Sequence, residues 1–324
     1  MELLDHIPAI VRISVVFTLI IIAIRKKVSL GNAMLGGAII LGLIFGLGPG
    51  AVIRSAVISL IHPKTLSLSI VVMLILVLSH SMETAGQMSR LLSNFRGLIK
   101  HPGLNLIVFP ALIGLLPMPG GAIFSAPMVK NLGNQNHLSP SQLSYVNYWF
   151  RHIWEYWWPL YPGVLLTTAL AGLNLWSFIL FLFPLTIVAM IAGYWPLKNT
   201  FRMQTVIRDP LDNNQTRLRS FLRELIPIFI VICGGLGLGI LLSQVVDETA
   251  WSISKETGLI IALFAAIIWV WRINGLSTEQ KRQLVINRRL LNMFYMVASI
   301  LVFKGLLQDS HAVDALSREL IQWN

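Results

Sequence analysis

Long apolar runs separated by short polar or basic stretches make up nearly the whole chain. Most of them approach the roughly 20 residues that a helix needs to cross the hydrocarbon core of a bilayer. The clearest runs lie at about 7–24, 30–47, 66–82, 175–197, 225–243, 258–271 and 290–308. This pattern predicts an all-α, polytopic membrane protein with roughly eight to ten spans.

The stretch Leu116–Pro127 interrupts the pattern, because it places three prolines and two adjacent glycines inside an apolar segment. Proline removes a backbone donor, and unpaired backbone groups are tolerated in a bilayer only where protein buries them or water reaches them. Such a break is the best sequence mark of a transport site. We expect the helix to break from Pro117 to Pro127. Since Lys100 and Lys130 both belong to cytoplasmic basic clusters, the segment about 103–130 is predicted to be a re-entrant hairpin.

A second broken helix follows the hairpin. Ser139 and Pro140 form a typical helix start, and the predicted helix runs over about 140–171 with Pro159 and Pro162 near its middle. A closing helix over about 175–197 then leads to a basic cytoplasmic linker, 198–223.

Composition and charge agree with a membrane protein. Of the 324 residues, 55% are hydrophobic and only 12% are charged, which is too little charge for a soluble surface. The net charge of +11 comes from short basic clusters between apolar runs, which is the positive-inside pattern and excludes a nucleic-acid partner. Cys233 is the sole cysteine, so disulfides contribute nothing.

The order of elements predicts an inverted repeat. Residues 1–197 form a first transmembrane repeat, and residues 224–324 repeat its opening order in the opposite direction. The second repeat stops where the counterpart of the hairpin is expected, so we predict a C-terminally truncated chain and a complete protein of roughly 420 residues. The alternative is a nine-span protein whose partner subunit supplies the rest.

Polar side chains recur beside the hairpin. Asn147, Arg151 and Glu155 are spaced four residues apart and are expected to share one face of a helix, with His152 adjacent. Charge at the centre of a bilayer is costly, so these groups are predicted to be functional. The alternative is an Arg151–Glu155 pair that neutralises itself at an interface, with the surrounding tryptophans forming an aromatic belt.

These residues receive separate roles. Arginine binds carboxylates bidentately, and histidine changes its charge near physiological pH. The His152-x-x-Glu155 pair has no further ligands near it, so we expect no metal and no cofactor. The predicted substrate-binding residues are Pro119, Gly120, Gly121, Ser125, Asn147 and Arg151, and the predicted ion- or proton-coupling residues are His152, Glu155 and Glu83. Two alternatives stay open: Ser125 as a helix-packing serine, and Glu83 as a solvated acid at the cytoplasmic end of its helix.

Two motifs carry a family resemblance. Leu116–Met128, and Trp149–Glu155 continuing through Pro159–Gly163, are similar to an uncharacterised prokaryotic membrane family, domain-of-unknown-function family four-zero-one. That family looks like a member of the ion-transporter superfamily, which includes gluconate, citrate, dicarboxylate and arsenite permeases. The resemblance implies an inverted-repeat fold with two re-entrant hairpins, secondary active transport and often an elevator-like movement. It implies no substrate.

The function expected from these features is secondary active transport, by symport, of a small carboxylate-like organic anion with H⁺ or Na⁺. We expect a multi-pass protein of the cell (inner) membrane, embedded in the lipid bilayer as a homodimer, and not an enzyme. Two alternatives stay open. One is a membrane-embedded enzyme that uses His152 and Glu155, and the other is a passive channel.

Overall fold

The computed structural model describes residues 7–95, 102–115, 121–134, 138–198, 214–245 and 254–322. Within these ranges every regular element is a helix, and no strand occurs. The helices of the first half are α1 Ala9–Arg25, α2 Leu30–Ile44, α3 Pro49–Ile61, α4 Pro63–Thr84, α5 Gln87–Phe95, α6 Pro102–Gly114, α7 Gly121–Asn134, α8 Pro140–Arg151 and α9 Pro162–Ala171. Those of the second half are α10 Leu175–Leu182, α11 Pro184–Tyr194, α12 Asn214–Phe229, α13 Gly235–Val245, α14 Ser254–Ile273, α15 Thr278–Val285, α16 Arg288–Asp309 and α17 Ala312–Gln322.

Local sequence signals set several helix starts. A serine or asparagine at the N-cap accepts a hydrogen bond from the first turn, which satisfies a backbone N–H that has no partner inside the helix. Side-chain caps of this kind are Ser29, Ser139, Asn174, Ser277 and Asn287. The predicted start at Ser139 and Pro140 is confirmed.

Five segments in the described ranges are long and apolar enough to cross a membrane: Pro63–Thr84, Leu175–Leu197, Thr216–Gly239, Glu256–Ile273 and Thr278–Asp309. The chain therefore has the helices of a multi-spanning membrane protein. The number is below the roughly eight to ten predicted, because several other apolar runs form helices of only 10–17 residues.

The chain divides into two compact units. The first unit comprises Met1–Met73, Glu248–Glu256 and Asn287–Asn324. In it α16 packs against α2 and α3, α1 packs against α2, and α17 packs against α1. Its buried core includes Val16, Leu41, Val302, Phe303 and Leu306.

Small residues allow close helix packing in the first unit. A side chain at Gly31 of α2 would overlap the ring of Tyr295, and one at Gly305 of α16 would overlap the side chain of Ser59. Close approach through small residues is the usual means of helix association where lipid offers no hydrophobic driving force.

The second unit comprises Leu74–Asp247 and Thr257–Ile286. Helices α6, α7 and α8 pack against one another, α8 also contacts α11, and α5 packs against α12. The buried core of this unit is centred on α6 and α8, and it includes Leu106, Ile107, Val146, Phe150 and Ile153.

Helices α6 and α7 occupy the segment that was predicted to form a re-entrant hairpin. The extent of the predicted helix break differs from the structure. Residues 116–120, which include Pro117, lie outside the described ranges. Helix α7 begins at Gly121 and continues through Pro127, so the prediction that the break extends to Pro127 is wrong. A proline inside a helix removes one backbone hydrogen bond, and membrane helices tolerate that loss.

The predicted linker 198–223 is also partly helical. Residues 199–213 lie outside the described ranges, but α12 begins at Asn214 and continues into the apolar run that follows. The helix incorporates the linker's arginines at 217, 219 and 223, because arginine is a good helix former.

Candidate functional site

The candidate site is built on α8, whose start is fixed by a capping box. The Ser139 hydroxyl accepts a hydrogen bond from the backbone N–H of Gln142, and the Gln142 side chain accepts one from the backbone N–H of Ser139, at 2.9 Å. Pro140 occupies the first helical position, where its missing N–H costs nothing. This cap sets the register in which Asn147 and Arg151 follow.

A side-chain hydrogen bond joins α7 to α8. The Ser125 hydroxyl donates to Oδ1 of Asn147, and the Ser125 side chain is fully buried. The structure therefore brings together two of the predicted substrate-binding residues. Ser125 lies inside α7 and Gly121 begins that helix, whereas Pro119 and Gly120 lie outside the described residues.

Arg151 is the last residue of α8 and is 9% exposed. Its positive charge lies at the negative end of the helix dipole, which favours a cation there. The prediction that Glu155 continues the same helical face is wrong, because α8 ends at Arg151 and residues 152–161 form turns. Glu155 instead lies one turn beyond the helix end, with 41% of its side chain exposed.

His152 lies between Arg151 and Glu155. Its Nε2 atom is 3.4 Å from Nη1 of Arg151 and 3.6 Å from Oε1 of Glu155. Its Nδ1 atom is 2.5 Å from the carbonyl oxygen of Tyr148, and the Tyr148 ring contacts the imidazole at a tilt of 39°, with 4.4 Å between centroids. A carbonyl oxygen only accepts, so Nδ1 carries a proton and Nε2 is the acceptor of the neutral ring.

The turns after α8 are fastened to the end of α6. Helix α6 ends at Gly114, so its last carbonyls have no partner within the helix. Three side chains of residues 152–161 donate to carbonyls at this end: Trp154 to Ala111 at 2.8 Å, Trp158 to Leu115 at 2.8 Å and Tyr161 to Gly114 at 2.7 Å. We call Trp154, Trp158 and Tyr161 the aromatic clamp.

The two helix ends also meet through their backbones. A side chain at Gly114 would overlap the carbonyl oxygen of Arg151, so only glycine permits this approach. Both α6 and α8 therefore end at the same place. The aromatic clamp supplies the hydrogen bonds that water cannot supply in a bilayer.

The opposite side of residues 152–161 is fastened to α11. The indole N–H of Trp157 donates to the Thr186 hydroxyl at 2.6 Å, and that hydroxyl donates to the carbonyl of Ile153 at 2.8 Å. One turn earlier, the indole of Trp149 donates to the carbonyl of Ala189 at 2.9 Å. The tryptophans considered as an aromatic belt are thus hydrogen-bond donors within the fold.

Glu83 lies apart from this cluster in the hydrogen-bond pattern. It is a half-buried residue in the last turn of α4. Among the described residues, its side chain makes no hydrogen bond or ion pair with Ser125, Asn147, Arg151 or His152. Five of the other predicted residues are joined in two groups, Ser125 with Asn147 and Arg151 with His152 and Glu155.

Sequence reasoning missed the residues that hold the break in place. Trp154, Trp158 and Tyr161 are spaced by four and three residues, which on a continuous helix would be one face. That spacing, followed by Pro162, was the sequence signal that these three side chains contact the same part of the fold. The partner carbonyls are more than 40 residues away, as the 43-residue separation of Trp158 and Leu115 shows.

A family model described as a protein of unknown function, DUF401, matches residues 9–324. The chain belongs to the DUF401 family. The match confirms the resemblance carried by the motifs at 116–128 and 149–163. No curated protein and no solved structure matches the chain. In this DUF401 protein the second motif includes the turns after α8, and the described part of the first motif, 121–128, lies in α7.

Proposed function

We propose that this protein is a secondary active transporter of a small organic anion, coupled to H⁺ or Na⁺, in the cell (inner) membrane. The observation that carries the proposal is the buried Arg151 at the end of α8, directly before an unwound segment fastened to the end of a second short helix. Discontinuous helices of this kind form the substrate sites of many secondary transporters.

The short lengths of the helices support the proposal. Helices α6 and α7 have 13 and 14 residues, or about 20 Å each, while the hydrocarbon core of a bilayer is about 30 Å thick. Neither helix is long enough to cross alone. A re-entrant hairpin made of these two helices would account for this length.

The positive charge of Arg151 supports an anion as the proposed substrate. Arginine offers a planar fork of donors that matches a carboxylate, and a partly buried arginine makes hydrogen bonds of about 1.5–3 kcal/mol with a charged group. Asn147 and Ser125, already joined, would bind the polar part of the substrate, and the segment from Pro119 to Gly121 would offer backbone groups. His152, Glu155 and Glu83 are the candidates for ion coupling.

The family resemblance points to the same class of function. The motifs resemble the DUF401 family, which looks like a member of the ion-transporter superfamily together with gluconate, citrate and dicarboxylate permeases. That resemblance implies an inverted-repeat, elevator-like carrier, and we propose that it acts as a homodimer.

The proposal is tested by uptake into proteoliposomes that contain the purified full chain. Radiolabelled gluconate, citrate and succinate are offered under an imposed pH gradient and, separately, an imposed sodium gradient. We expect saturable uptake of at least one anion under one gradient, and a loss of about tenfold or more in Arg151→Gln. The matched control is Arg282→Gln, which removes a surface arginine that is paired with Glu279.

Two results would overturn the proposal. One is the absence of gradient-driven uptake for all three anions. The other is uptake that Arg151→Gln leaves unchanged. Uptake that never saturates would identify a channel in place of a carrier.

A further inference from the structure

We infer that Nε2 of His152 is the proton-binding atom of the carrier, and that one proton binds there together with one monovalent organic anion. This inference rests on the proposed function and adds the coupling ion, its site and the charge of the substrate. It follows from the positions of Arg151 and Glu155 on either side of a histidine whose other nitrogen is already engaged.

The tautomer comes first in the argument. Nδ1 of His152 faces the carbonyl of Tyr148, which has lone pairs and no hydrogen, so Nδ1 keeps its proton in both charge states. The neutral ring therefore presents a lone pair at Nε2. Nη1 of Arg151, at 3.4 Å, is the donor that faces this lone pair.

Protonation changes the group that bonds to Nε2 of His152, from Arg151 to Glu155. A proton from water binds the Nε2 lone pair, and the ring becomes an imidazolium with a hydrogen on each nitrogen. Nη1 of Arg151 then loses this acceptor and faces a like charge, whereas Oε1 of Glu155, at 3.6 Å, gains a donor of opposite charge. Protonation of His152 thus makes the Nη1 donor of Arg151 available to the anion.

The charge of the cluster gives the stoichiometry. With neutral His152, Arg151 and Glu155 sum to zero, and a bound proton raises the sum to +1. A monoanion bound to Arg151 returns the sum to zero. The empty and the fully loaded clusters are both neutral, and neutral clusters avoid the cost of moving a net charge through the bilayer.

The neighbouring elements add little charge to this balance. Besides His152 itself, the turns after α8 carry the hydroxyls of Tyr156 and Tyr161, and α8 carries those of Tyr145 and Tyr148. Helix α6 has no titratable side chain, α7 has only Lys130, and α11 has only Tyr194. Lys130 is exposed.

The first test is independent of transport. In full-length protein labelled with ¹⁵N-histidine, the signal of His152 is assigned by its loss in His152→Gln, and its tautomer is read from the two-bond couplings of the ring nitrogens. We expect the neutral ring to carry its proton on Nδ1. A neutral ring protonated on Nε2 would overturn the inference.

The second test separates a pH gradient from a membrane potential. For proteoliposomes that take up [¹⁴C]gluconate, a monoanion, we expect uptake driven by an inward proton gradient and no response to a potassium–valinomycin potential. In His152→Gln we expect gradient-driven uptake to fall about tenfold or more. A potential-driven uptake, or a His152→Gln variant that still follows the proton gradient, would overturn the inference.

The two tests distinguish failures. If no anion is transported and the neutral ring is protonated on Nδ1, the proposed function fails and the structural assignment of Nε2 stands. If transport is driven only by sodium, the transporter stands and the proton site is overturned. His152→Asn is the matched variant, because its amide keeps a donor near the position of Nδ1 and lacks a group at Nε2. It is expected to lose coupling as His152→Gln does.

Discussion

The hydroxyl of Tyr161 donates a hydrogen bond to the carbonyl oxygen of Gly114 at 2.7 Å, across 47 residues of sequence. Tyr161 immediately precedes α9, and Gly114 is the last residue of α6. The bond therefore connects the start of one helix to the end of another, inside an apolar part of the chain. Because lipid offers no hydrogen bonds, these carbonyls are satisfied by the protein itself.

Removal of the Tyr161 hydroxyl tests this relationship. Tyr161→Phe leaves the Gly114 carbonyl without its donor, and we expect the free energy of unfolding to fall by about 1–3 kcal/mol. Unfolding in mixed micelles, followed by circular dichroism, measures the change. The matched control is Tyr156→Phe in the same turns, where the side chain is exposed and a change within about 0.5 kcal/mol is expected. Equal effects of the two substitutions would contradict the role of Tyr161.

The close approach of α6 and α8 predicts a steric effect at Gly114. Gly114→Ala places a methyl group against the Arg151 carbonyl, so we expect a loss of about 1–3 kcal/mol in unfolding free energy. Gly163→Ala is the control, because a side chain there meets open space in the described structure and alanine favours the helix. The same denaturation assay is used. If Gly114→Ala is as stable as Gly163→Ala, the two helix ends are not in contact.

The Thr186 hydroxyl accepts from Trp157 and donates to Ile153, so one substitution breaks two hydrogen bonds. Thr186→Val keeps the shape of the side chain and leaves a buried N–H and a buried carbonyl unpaired. We expect a loss of about 1–3 kcal/mol, measured by thermal unfolding in detergent. Thr18→Val removes an exposed hydroxyl of α1 and is expected to change stability by less than about 0.5 kcal/mol. A neutral Thr186→Val would show that the turns do not depend on α11.

Arg90, in α5, is the centre of a second polar group. Its guanidinium bonds to Glu224 at 3.0 and 3.3 Å, to Asn274 at 2.5 Å and to the carbonyl of Ala85 at 2.7 Å. Arg90 belongs to α5, so these bonds join α5 to α12 and to the residues that follow α4 and α14, all within the second unit.

A double-mutant cycle measures this group. For Arg90→Ala and Glu224→Ala we expect a coupling of about 1 kcal/mol, because the geometry is bidentate although Arg90 is 44% exposed. The exposed Arg282–Glu279 pair is the comparison, and we expect a coupling of at most about 0.5 kcal/mol there. If the two couplings are the same, the Arg90 group contributes no more than a surface pair.

The sequence predicted the elements whose signals are local. Ser139 and Pro140 set the start of α8, and the apolar run 66–82 lies within α4. Both features could be predicted because each depends on neighbouring residues alone. Pro127 was predicted as a break because proline usually ends a helix. In α7 the rest of the helix outweighs the loss of one hydrogen bond, and only the folded structure shows that balance.

The sequence predicted which residues belong to the candidate site, but it did not predict how they are arranged. Asn147 and Arg151 follow from their four-residue spacing on α8, but Glu155 does not, because the helix ends at Arg151. That end depends on carbonyls of α6 more than 40 residues away, which Trp154, Trp158 and Tyr161 contact. A pattern of neighbouring residues does not contain such long-range hydrogen bonds.

Equilibrium binding to the purified full chain tests the central claim most directly. The probe is the radiolabelled anion that is taken up best among gluconate, citrate and succinate, and binding is measured by scintillation proximity. We expect saturable binding to the wild type and to Arg282→Gln, binding weakened by about tenfold or more in Arg151→Gln, and partial recovery in Arg151→Lys, which restores the charge without the planar fork. An Arg151→Gln variant that binds the anion as tightly as the wild type would contradict the account.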